Sequence, residues 1–234
     1  MHWLFPLAAF LVGSIPFGLF AGKIRGVDIR EHGSGNIGAT NVFRTLGKGP
    51  GIACLLLDTL KGLVPVLLAI NLVRVDAAVA IPIAPLMNLA PPLPEDHRLT
   101  TQIVAVATAM AAILGHNFSP WLGFKGGKGI ATSAGVLIGL MPVGVLVLVA
   151  IWIVTTLVTR YVSVGSVVAA VALPLVALYG SWRHDKFADG TWNKPLFVFA
   201  LVAAALAVWK HRSNLKRLLS GSENRIFRGK KRPT

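Results

Sequence analysis

Apolar residues occur in long runs along this chain, and short polar segments separate the runs. Largely apolar stretches cover residues 3–22, 51–73, 101–116, 143–158, 162–180 and 196–209. A helix needs about 17–25 mostly apolar residues to cross a bilayer, and most of these stretches meet that requirement. The pattern therefore predicts an all-α integral membrane protein.

Residues 130–158 form an apolar stretch that is too long for one ordinary span and short for two full ones. Met141 and Pro142 lie in its middle. We interpret the stretch as a tight helical hairpin with its turn at these two residues. The hairpin brings the predicted number of transmembrane helices to about seven.

The distribution of basic residues supports that number. With the N-terminus outside, 17 of the 23 Lys and Arg side chains fall on the inner side, and the outer loops are neutral. Positive residues accumulate on the cytoplasmic side of membrane proteins. A single span over 130–158 would instead place the basic C-terminal segment outside. We therefore predict a bundle of about seven helices with the N-terminus outside and the C-terminus in the cytoplasm.

Composition narrows the class of protein further. The chain is 54% hydrophobic and 14% charged, which is unusual for a soluble domain. Its net charge of +14 is interpreted as membrane topology and attraction to anionic lipid, rather than as a nucleic-acid-binding surface. The single cysteine excludes an intrachain disulfide. One membrane domain is predicted over residues 1–211, with cytoplasmic active-site loops at 23–49 and 117–129, followed by a basic cytoplasmic tail at 212–234.

Two glycine-rich, basic segments lie at the predicted inner ends of apolar stretches. The first glycine loop, residues 33–44, reads GSGNIGATNVFR, and the second glycine loop, residues 124–132, reads FKGGKGIAT. Glycine lets backbone N–H groups converge on an oxyanion, and Ser, Asn, Lys and Arg side chains add further donors. The two loops therefore predict phosphate binding at one face of the membrane.

Two further polar groups need an explanation. His211 and Asn214 share a face if their segment is helical, and imidazole and carboxamide groups can orient a hydroxyl or an acyl oxygen. The alternative is a basic helix end that lies on lipid headgroups. Asp58 and Lys61 lie at i, i+3 inside an apolar stretch, which favours a structural ion pair or a wall of the site over a catalytic role.

These groups favour one kind of chemistry. The sequence shows no Cys/His metal-ligand pattern and no evident nucleophile elbow. Two anionic substrates held together, with donors that stabilise developing charge, suit acyl transfer from a donor whose leaving group is phosphate. An acceptor hydroxyl compound that carries its own phosphate would explain the second anion site. The apolar spans would hold the acyl chain.

The three polar segments resemble, in order, the three motifs of the bacterial acyl-phosphate:glycerol-3-phosphate acyltransferases (the PlsY family). The matching stretches are Ser34-Gly35-Asn36 through Arg44, Gly115-His116-Asn117-Phe118 through Thr132, and residues 211–218 with Glu223. The resemblance covers nearly the whole chain and implies a multi-pass enzyme of the bacterial cytoplasmic (inner) membrane. Such an enzyme would move a fatty acyl group from acyl phosphate to the 1-hydroxyl of sn-glycerol 3-phosphate. The products, lysophosphatidic acid and phosphate, would make this the first acylation step of phospholipid synthesis.

The resemblance also implies roles for individual residues. Ser34, His211 and Asn214 would act at the reacting centre, and Glu223 would have a structural role. Phosphate binding is expected of Gly35, Asn36, Gly38, Thr40, Asn41, Arg44, His116, Lys125, Gly126, Gly127, Lys128 and Gly129, and either loop is a candidate for either substrate. No metal, no cofactor and no acyl-enzyme are implied. Expected partners are acyl phosphate, glycerol 3-phosphate and membrane lipids, with the soluble enzyme that makes acyl phosphate as a further candidate, and no nucleic acid.

Two other classes of protein are alternatives. A transporter of phosphate or organic anions would also need a basic site in a membrane bundle. Inverted repeats and a site at mid-depth are typical of transporters, and neither is visible in this sequence. A non-catalytic scaffold for anionic lipid would need the basic tail but not Ser34, Asn36 or the His211–Asn214 pair.

Overall fold

The structure, a computed structural model, describes residues 2–75, 79–188, 190 and 192–226. These residues form eleven α-helices and no strand. The helices are α1 (Leu4–Gly13), α2 (Phe17–Ile24), α3 (Ala39–Leu46), α4 (Lys48–Leu72), α5 (Ala84–Met87), α6 (Arg98–Asn117), α7 (Ile130–Leu140), α8 (Pro142–Thr159), α9 (Val162–Arg183), α10 (Lys194–Lys210) and α11 (Arg212–Leu219). Two outer-loop acids used in the charge argument, Asp76 and Asp189, and the end of the basic tail at 227–234 lie outside the described residues.

The long helices match the predicted apolar stretches. Within the described part of the chain, five helical segments are long and apolar enough to cross a membrane: α1 with α2, α4, α6 with its flanking turns, α8 and α9. α10 meets the same criteria together with α11, from which it is bent by 50°. α7 is a shorter apolar helix of 11 residues. The all-helical architecture is as expected, while the total of seven spans and the side on which each terminus lies stay predictions.

The apolar stretch 130–158 is divided where the sequence predicts. α7 ends at Leu140 and α8 begins at Pro142, where the missing proline N–H would have had no helical partner in any case. α7 packs mainly against α4, whereas α8 packs against α9. The two helices of the predicted hairpin therefore have different neighbours.

The first apolar stretch is broken between α1 and α2, a feature that sequence reasoning missed. Side chains from elsewhere bind the polar groups at this break. Lys61 Nζ donates a hydrogen bond to the carbonyl oxygen of Ile15 (2.7 Å), and Ser119 Oγ donates to that of Ser14 (2.7 Å). Trp121 Nε1 donates to Ser14 Oγ at 2.9 Å. The break thus connects the first span to α4 and to the segment that follows α6.

α6 packs against four other helices, α1, α4, α7 and α10. Its contact with α1 is close: a Cβ at Gly115 would lie 2.2 Å from the carbonyl oxygen of Phe10. The segment 23–49, expected as a loop, contains α3, and α4 begins at Lys48, three residues before the predicted apolar stretch. As a result, part of the first glycine loop is helical.

Candidate active site

One buried side chain holds the first glycine loop in shape. Asn41 is 1% exposed, and its Nδ2 donates hydrogen bonds to the carbonyl oxygens of Ile29 (2.9 Å) and His32 (3.0 Å). Its Oδ1 accepts a hydrogen bond from the backbone N–H of Ser34 at 2.8 Å. Gly33 passes close to this amide, since a Cβ there would lie 2.3 Å from Asn41 Oδ1. The placement favours an organising role for Asn41 over the phosphate-binding role that the motif implies.

The other predicted residues of this loop are more open. Asn36 Oδ1 accepts a hydrogen bond from the N–H of Gly38 at 2.8 Å, which closes a local turn. Ser34 is partly exposed, and its hydroxyl has no hydrogen-bond partner within the described part of the chain. Gly35 and Thr40 are exposed. An anion can therefore reach Ser34, Thr40, Arg44 and the exposed backbone around Gly35.

The second glycine loop folds back over the end of α6. The N–H of Gly127 donates a hydrogen bond to the carbonyl oxygen of His116 at 3.0 Å. A Cβ at Gly127 would lie 2.1 Å from His116 Nε2, so only glycine fits over this ring. His116 is 4% exposed and lies directly under the loop. That position favours a supporting role for His116, whereas the motif implies phosphate binding.

Asp58 and Lys61 form an ion pair of 2.7 Å beside this histidine. His116 Nδ1 lies 3.8 Å from Asp58 Oδ1, and Lys61 also binds the break between α1 and α2. The pair joins α4 to the base of the second glycine loop. The arrangement is that of a structural ion pair, one of the two roles expected from the sequence.

A chain of hydrogen bonds connects the second glycine loop to α11. Lys128 Nζ donates to Asn214 Oδ1, and Asn214 Nδ2 donates to Glu223 Oε1 at 2.7 Å. Ser163 Oγ donates to the same carboxylate oxygen (2.8 Å), and Arg217 Nε donates to Glu223 Oε2 (2.8 Å). Glu223 thus fixes the orientation of the Asn214 amide, whose oxygen faces Lys128.

His211 lies at the bend between α10 and α11 and is 2% exposed. Its Nδ1 is 2.8 Å from the carbonyl oxygen of Ala207. Because a carbonyl only accepts hydrogen bonds, Nδ1 carries the proton, and in the neutral ring Nε2 is an acceptor. Burial, together with the positive charge of Lys128, lowers the pKa of His211 to about 4. The imidazole is therefore neutral at physiological pH.

Positive charge is concentrated around Lys128. Its pKa is lowered to about 8, mainly by burial and further by Arg217, Arg44 and Lys210, while Glu223 acts in the opposite direction. Burial raises the pKa of Glu223, but hydrogen bonds from Asn214, Ser163 and Arg217 outweigh it, so the carboxyl group is more acidic than usual. One carboxylate therefore lies among several cations, an arrangement that attracts anions.

Two contacts bring the first glycine loop to this cluster. Arg44, on α3, lies within electrostatic reach of both Glu223 and Arg217. Leu122, from the segment before the second loop, packs against the apolar cluster of Ile29, Ile37, Val42 and Cys54 beneath the first loop. The structure thus brings the three polar segments together, as their shared face in the sequence suggests. Exposed Lys125 has no contact with this group among the described residues.

Lys210 is a residue that sequence reasoning did not single out. Its Nζ donates a hydrogen bond to the carbonyl oxygen of Asn117 at 2.8 Å and lies 4.7 Å from the centre of the Phe118 ring. The contact joins the end of α10 to the end of α6. The sequence did contain a signal for this role, because Lys210 lies at the end of an apolar stretch and directly before His211. Among the described residues, no group of three His, Cys, Asp or Glu side chains is placed to hold a metal ion.

A sequence profile of the glycerol-3-phosphate acyltransferase family matches residues 3–221. The chain belongs to this family. Relatives with the name glycerol-3-phosphate acyltransferase include a protein of Geobacter sulfurreducens, 45% identical over 93% of this chain and 94% of the relative. A protein of Desulforamulus reducens is 42% identical over 94% of this chain and 92% of the relative.

Two solved structures of PlsY (YgiH), an integral membrane glycerol 3-phosphate acyltransferase, have the same fold. The glycerol 3-phosphate form superimposes with a TM-score of 0.75 at 34% sequence identity, covering 96% of this chain and 95% of that chain. The lysophosphatidic acid form gives a TM-score of 0.73 at the same identity and coverage. The predicted family and the all-α integral membrane fold are therefore confirmed.

Proposed function

We propose that this member of the glycerol-3-phosphate acyltransferase family transfers a fatty acyl group from acyl phosphate to the 1-hydroxyl of sn-glycerol 3-phosphate. The products are lysophosphatidic acid and phosphate. The observation that carries the proposal is the convergence of both glycine loops on the Lys128–Asn214–Glu223 chain, in a protein that matches the family over residues 3–221. A transporter has no need for a neutral, buried His211 beside two such loops.

The basic side chains and the two glycine loops together bind the phosphate groups of the two substrates. Each substrate carries a phosphate group, and each glycine loop offers backbone N–H groups together with a basic side chain, Arg44 or Lys128. Glu223 keeps the Asn214 amide oriented while Arg217 balances the carboxylate. The two substrates are thereby held side by side, and proximity supplies a large part of the rate enhancement.

In the reaction, the hydroxyl oxygen attacks the acyl carbon of acyl phosphate. A new ester C–O bond forms, and the bond between the acyl carbon and the phosphate oxygen breaks, with its electron pair leaving on phosphate. The Lys128 ammonium and loop N–H groups stabilise the charge that develops on the leaving group. Ser34, through its open hydroxyl, helps to hold a substrate phosphate, and no acyl-enzyme is formed on it.

His211 orients the attacking hydroxyl. Its Nε2 accepts the hydroxyl hydrogen bond, because Nδ1–H is committed to Ala207. With a pKa of about 4, protonating this ring at pH 7 costs on the order of 4 kcal/mol. A phosphate monoester has a pKa near 6 and is the better final acceptor of the proton. The hydroxyl proton therefore ends on phosphate, while His211 fixes the direction of attack.

The site faces the cytoplasm of a bacterium, in its inner membrane, with the N-terminus of the chain outside. This orientation rests on the positive charge of the segments that carry the glycine loops. A cysteine at position 222 is then labelled by an impermeant maleimide only after the membrane is opened, whereas one at position 184, between α9 and α10, is labelled in intact cells. Labelling of position 222 in intact cells would overturn the orientation.

The function is tested with purified protein, glycerol 3-phosphate and one of three donors: acyl phosphate, acyl-CoA or acyl-carrier protein. We expect equal amounts of phosphate and lysophosphatidic acid from acyl phosphate alone. His211→Ala and Ser34→Ala should lower turnover strongly, and Lys48→Ala, at an exposed residue that starts α4, should not. Turnover of a thioester donor would overturn the donor assignment. Counterflow of phosphate in vesicles without any turnover would favour the transporter.

A further inference from the structure

α7 is much shorter than α8, the helix that follows it in the chain. α7 has 11 residues, or about 16 Å at 1.5 Å per residue, whereas the hydrocarbon core is about 30 Å thick. α8 has 18 residues, or about 27 Å. Both helices start from the turn at Met141 and Pro142. The second glycine loop, at the other end of α7, is therefore separated from this turn by about 10 Å less of helix than the other end of α8.

The segment that leads into this loop turns two aromatic side chains outward. Trp121 is 68% exposed and Phe124 is 62% exposed. Leu122, between them, packs inward against the apolar cluster beneath the first glycine loop. Two large exposed rings on one short segment need a partner that is apolar, because their exposure to water is unfavourable.

The outward direction of these rings is fixed by the backbone. The carbonyl oxygen of Ser119 accepts hydrogen bonds from the N–H groups of Leu122 (3.1 Å) and Phe124 (2.9 Å). Phe124 has a φ of 62°, in the left-handed region that non-glycine residues rarely adopt. The hydrogen bonds from Ser119 and Trp121 to Ser14 tie the segment to the first span. A strained backbone conformation that hydrogen bonds hold in place indicates that the outward direction of the Phe124 side chain has a functional role.

The polar surroundings match a lipid interface. Lys125 follows Phe124 directly and is exposed. An aromatic ring beside a lysine, at the end of a membrane-spanning helix, is typical of the headgroup layer, where basic side chains meet anionic lipid.

We propose that residues 119–125 form an interfacial anchor, in which Trp121 and Phe124 insert among the lipids of the leaflet that faces the active site, and Lys125 binds anionic headgroups. The anchor holds the second glycine loop at the boundary between headgroups and acyl chains. On the proposed function, an acyl phosphate has its own phosphate at this depth, so it reaches Lys128 sideways from the membrane.

The depth is measured with a spin label at Phe124→Cys in vesicles that contain anionic lipid, in a Cys54→Ala background. A label at Lys48→Cys is the control, because Lys48 is exposed at the start of α4, 13 residues before Lys61. We expect relaxation by oxygen to dominate at position 124 and relaxation by a water-soluble nickel complex to dominate at position 48. Equal nickel accessibility at the two positions would overturn the anchor and would favour a soluble protein partner for these rings.

A kinetic experiment tests the consequence of the anchor. Phe124→Gln should raise the KM for long-chain acyl phosphate in vesicles about threefold or more, and leave the KM for glycerol 3-phosphate unchanged. Phe124→Leu, which stays apolar, should behave like the wild type. Equal KM values in Gln and Leu variants would contradict lateral access. If wild-type protein has no acyltransferase activity at all, the proposed function fails, while the spin-label result still decides the anchor.

Discussion

The two glycine loops are both rich in glycine and donors, yet they are held in place differently. In the first loop, Asn41 makes all of its side-chain hydrogen bonds within residues 29–41. The second loop is supported by residues from three other helices. His116 on α6 lies under Gly127, and Asn214 on α11 accepts a hydrogen bond from Lys128. Lys210 on α10 binds the carbonyl oxygen of Asn117 at the end of α6. The first loop is therefore a local structure, whereas the second depends on the packing of distant helices.

Composition therefore predicts that a loop binds an anion, but it does not predict which other residues hold that loop in shape. Substitutions in the first loop should disturb that loop alone. Substitutions under the second loop should disturb the connection between α6, α10 and α11, and with it the reacting centre.

The largest expected effect comes from Gly127→Ala. The new Cβ would lie 2.1 Å from His116 Nε2, and the ring is buried beside the Asp58–Lys61 pair and has no room to move away. We expect kcat/KM to fall about 100-fold or more, since loop displacements of this size remove positioning. Gly49→Ala is the control, because nothing lies within 4 Å of a Cβ there.

A double variant sharpens the first prediction. His116→Ala removes the ring with which the alanine side chain of Gly127→Ala would clash. The double variant should therefore lose less activation free energy than the sum of the two single variants. Additive effects in the acyltransferase assay would show that the loop does not rest on His116.

Asn41→Asp tests the local character of the first loop. The carboxylate keeps the shape of the amide but loses the two N–H donors to Ile29 and His32 and places a charge against their carbonyl oxygens. We expect a loss of about 2–3 kcal/mol of loop stability, seen as a roughly 30-fold lower kcat/KM. The pH dependence that belongs to Lys128 should persist in this variant, and its disappearance would show that the loops are coupled.

Lys128 should give the second loop a pH dependence. Its ammonium is charged below a pKa of about 8, so the KM for one phosphorylated substrate should rise, by up to about tenfold, as the pH increases through 8. Lys128→Arg should move the rise to higher pH, and Lys128→Ala should give a high KM at every pH. A flat KM profile between pH 7 and 9 for both substrates in the wild type would contradict this role.

The smallest expected effect comes from Lys210→Met. The variant keeps the apolar stem but loses the hydrogen bond to Asn117, so α6 and α10 are less firmly joined beneath the reacting centre. We expect kcat to fall about fivefold with KM nearly unchanged, and Lys210→Arg to restore most of it. An Arg variant as impaired as the Met variant would show that a positive charge at this position is not enough to join the two helices.

Much of the fold was predictable, because the hydropathy of neighbouring residues locates membrane-spanning helices. The apolar stretches located the long helices, and Met141 with Pro142 located the boundary between α7 and α8. Hydropathy gave no sign of the break between α1 and α2, although Pro16, directly before α2, is a residue that often ends or kinks a helix. That break is stabilised by Lys61, Ser119 and Trp121, which lie far away in the chain.

The sequence by itself determined the class of protein, the family and the three polar segments, since hydropathy and short motifs depend on neighbouring residues only. The tertiary structure decided which members of each motif are exposed and which are buried. Asn41 and His116 match the motifs as well as Ser34 and Lys128 do, but both are buried: Asn41 is hydrogen-bonded to the backbone around it, and His116 lies directly under Gly127. Hydrogen bonds such as Lys128 to Asn214, 86 residues apart, exist only once the helices pack, and that packing is not encoded in any local pattern.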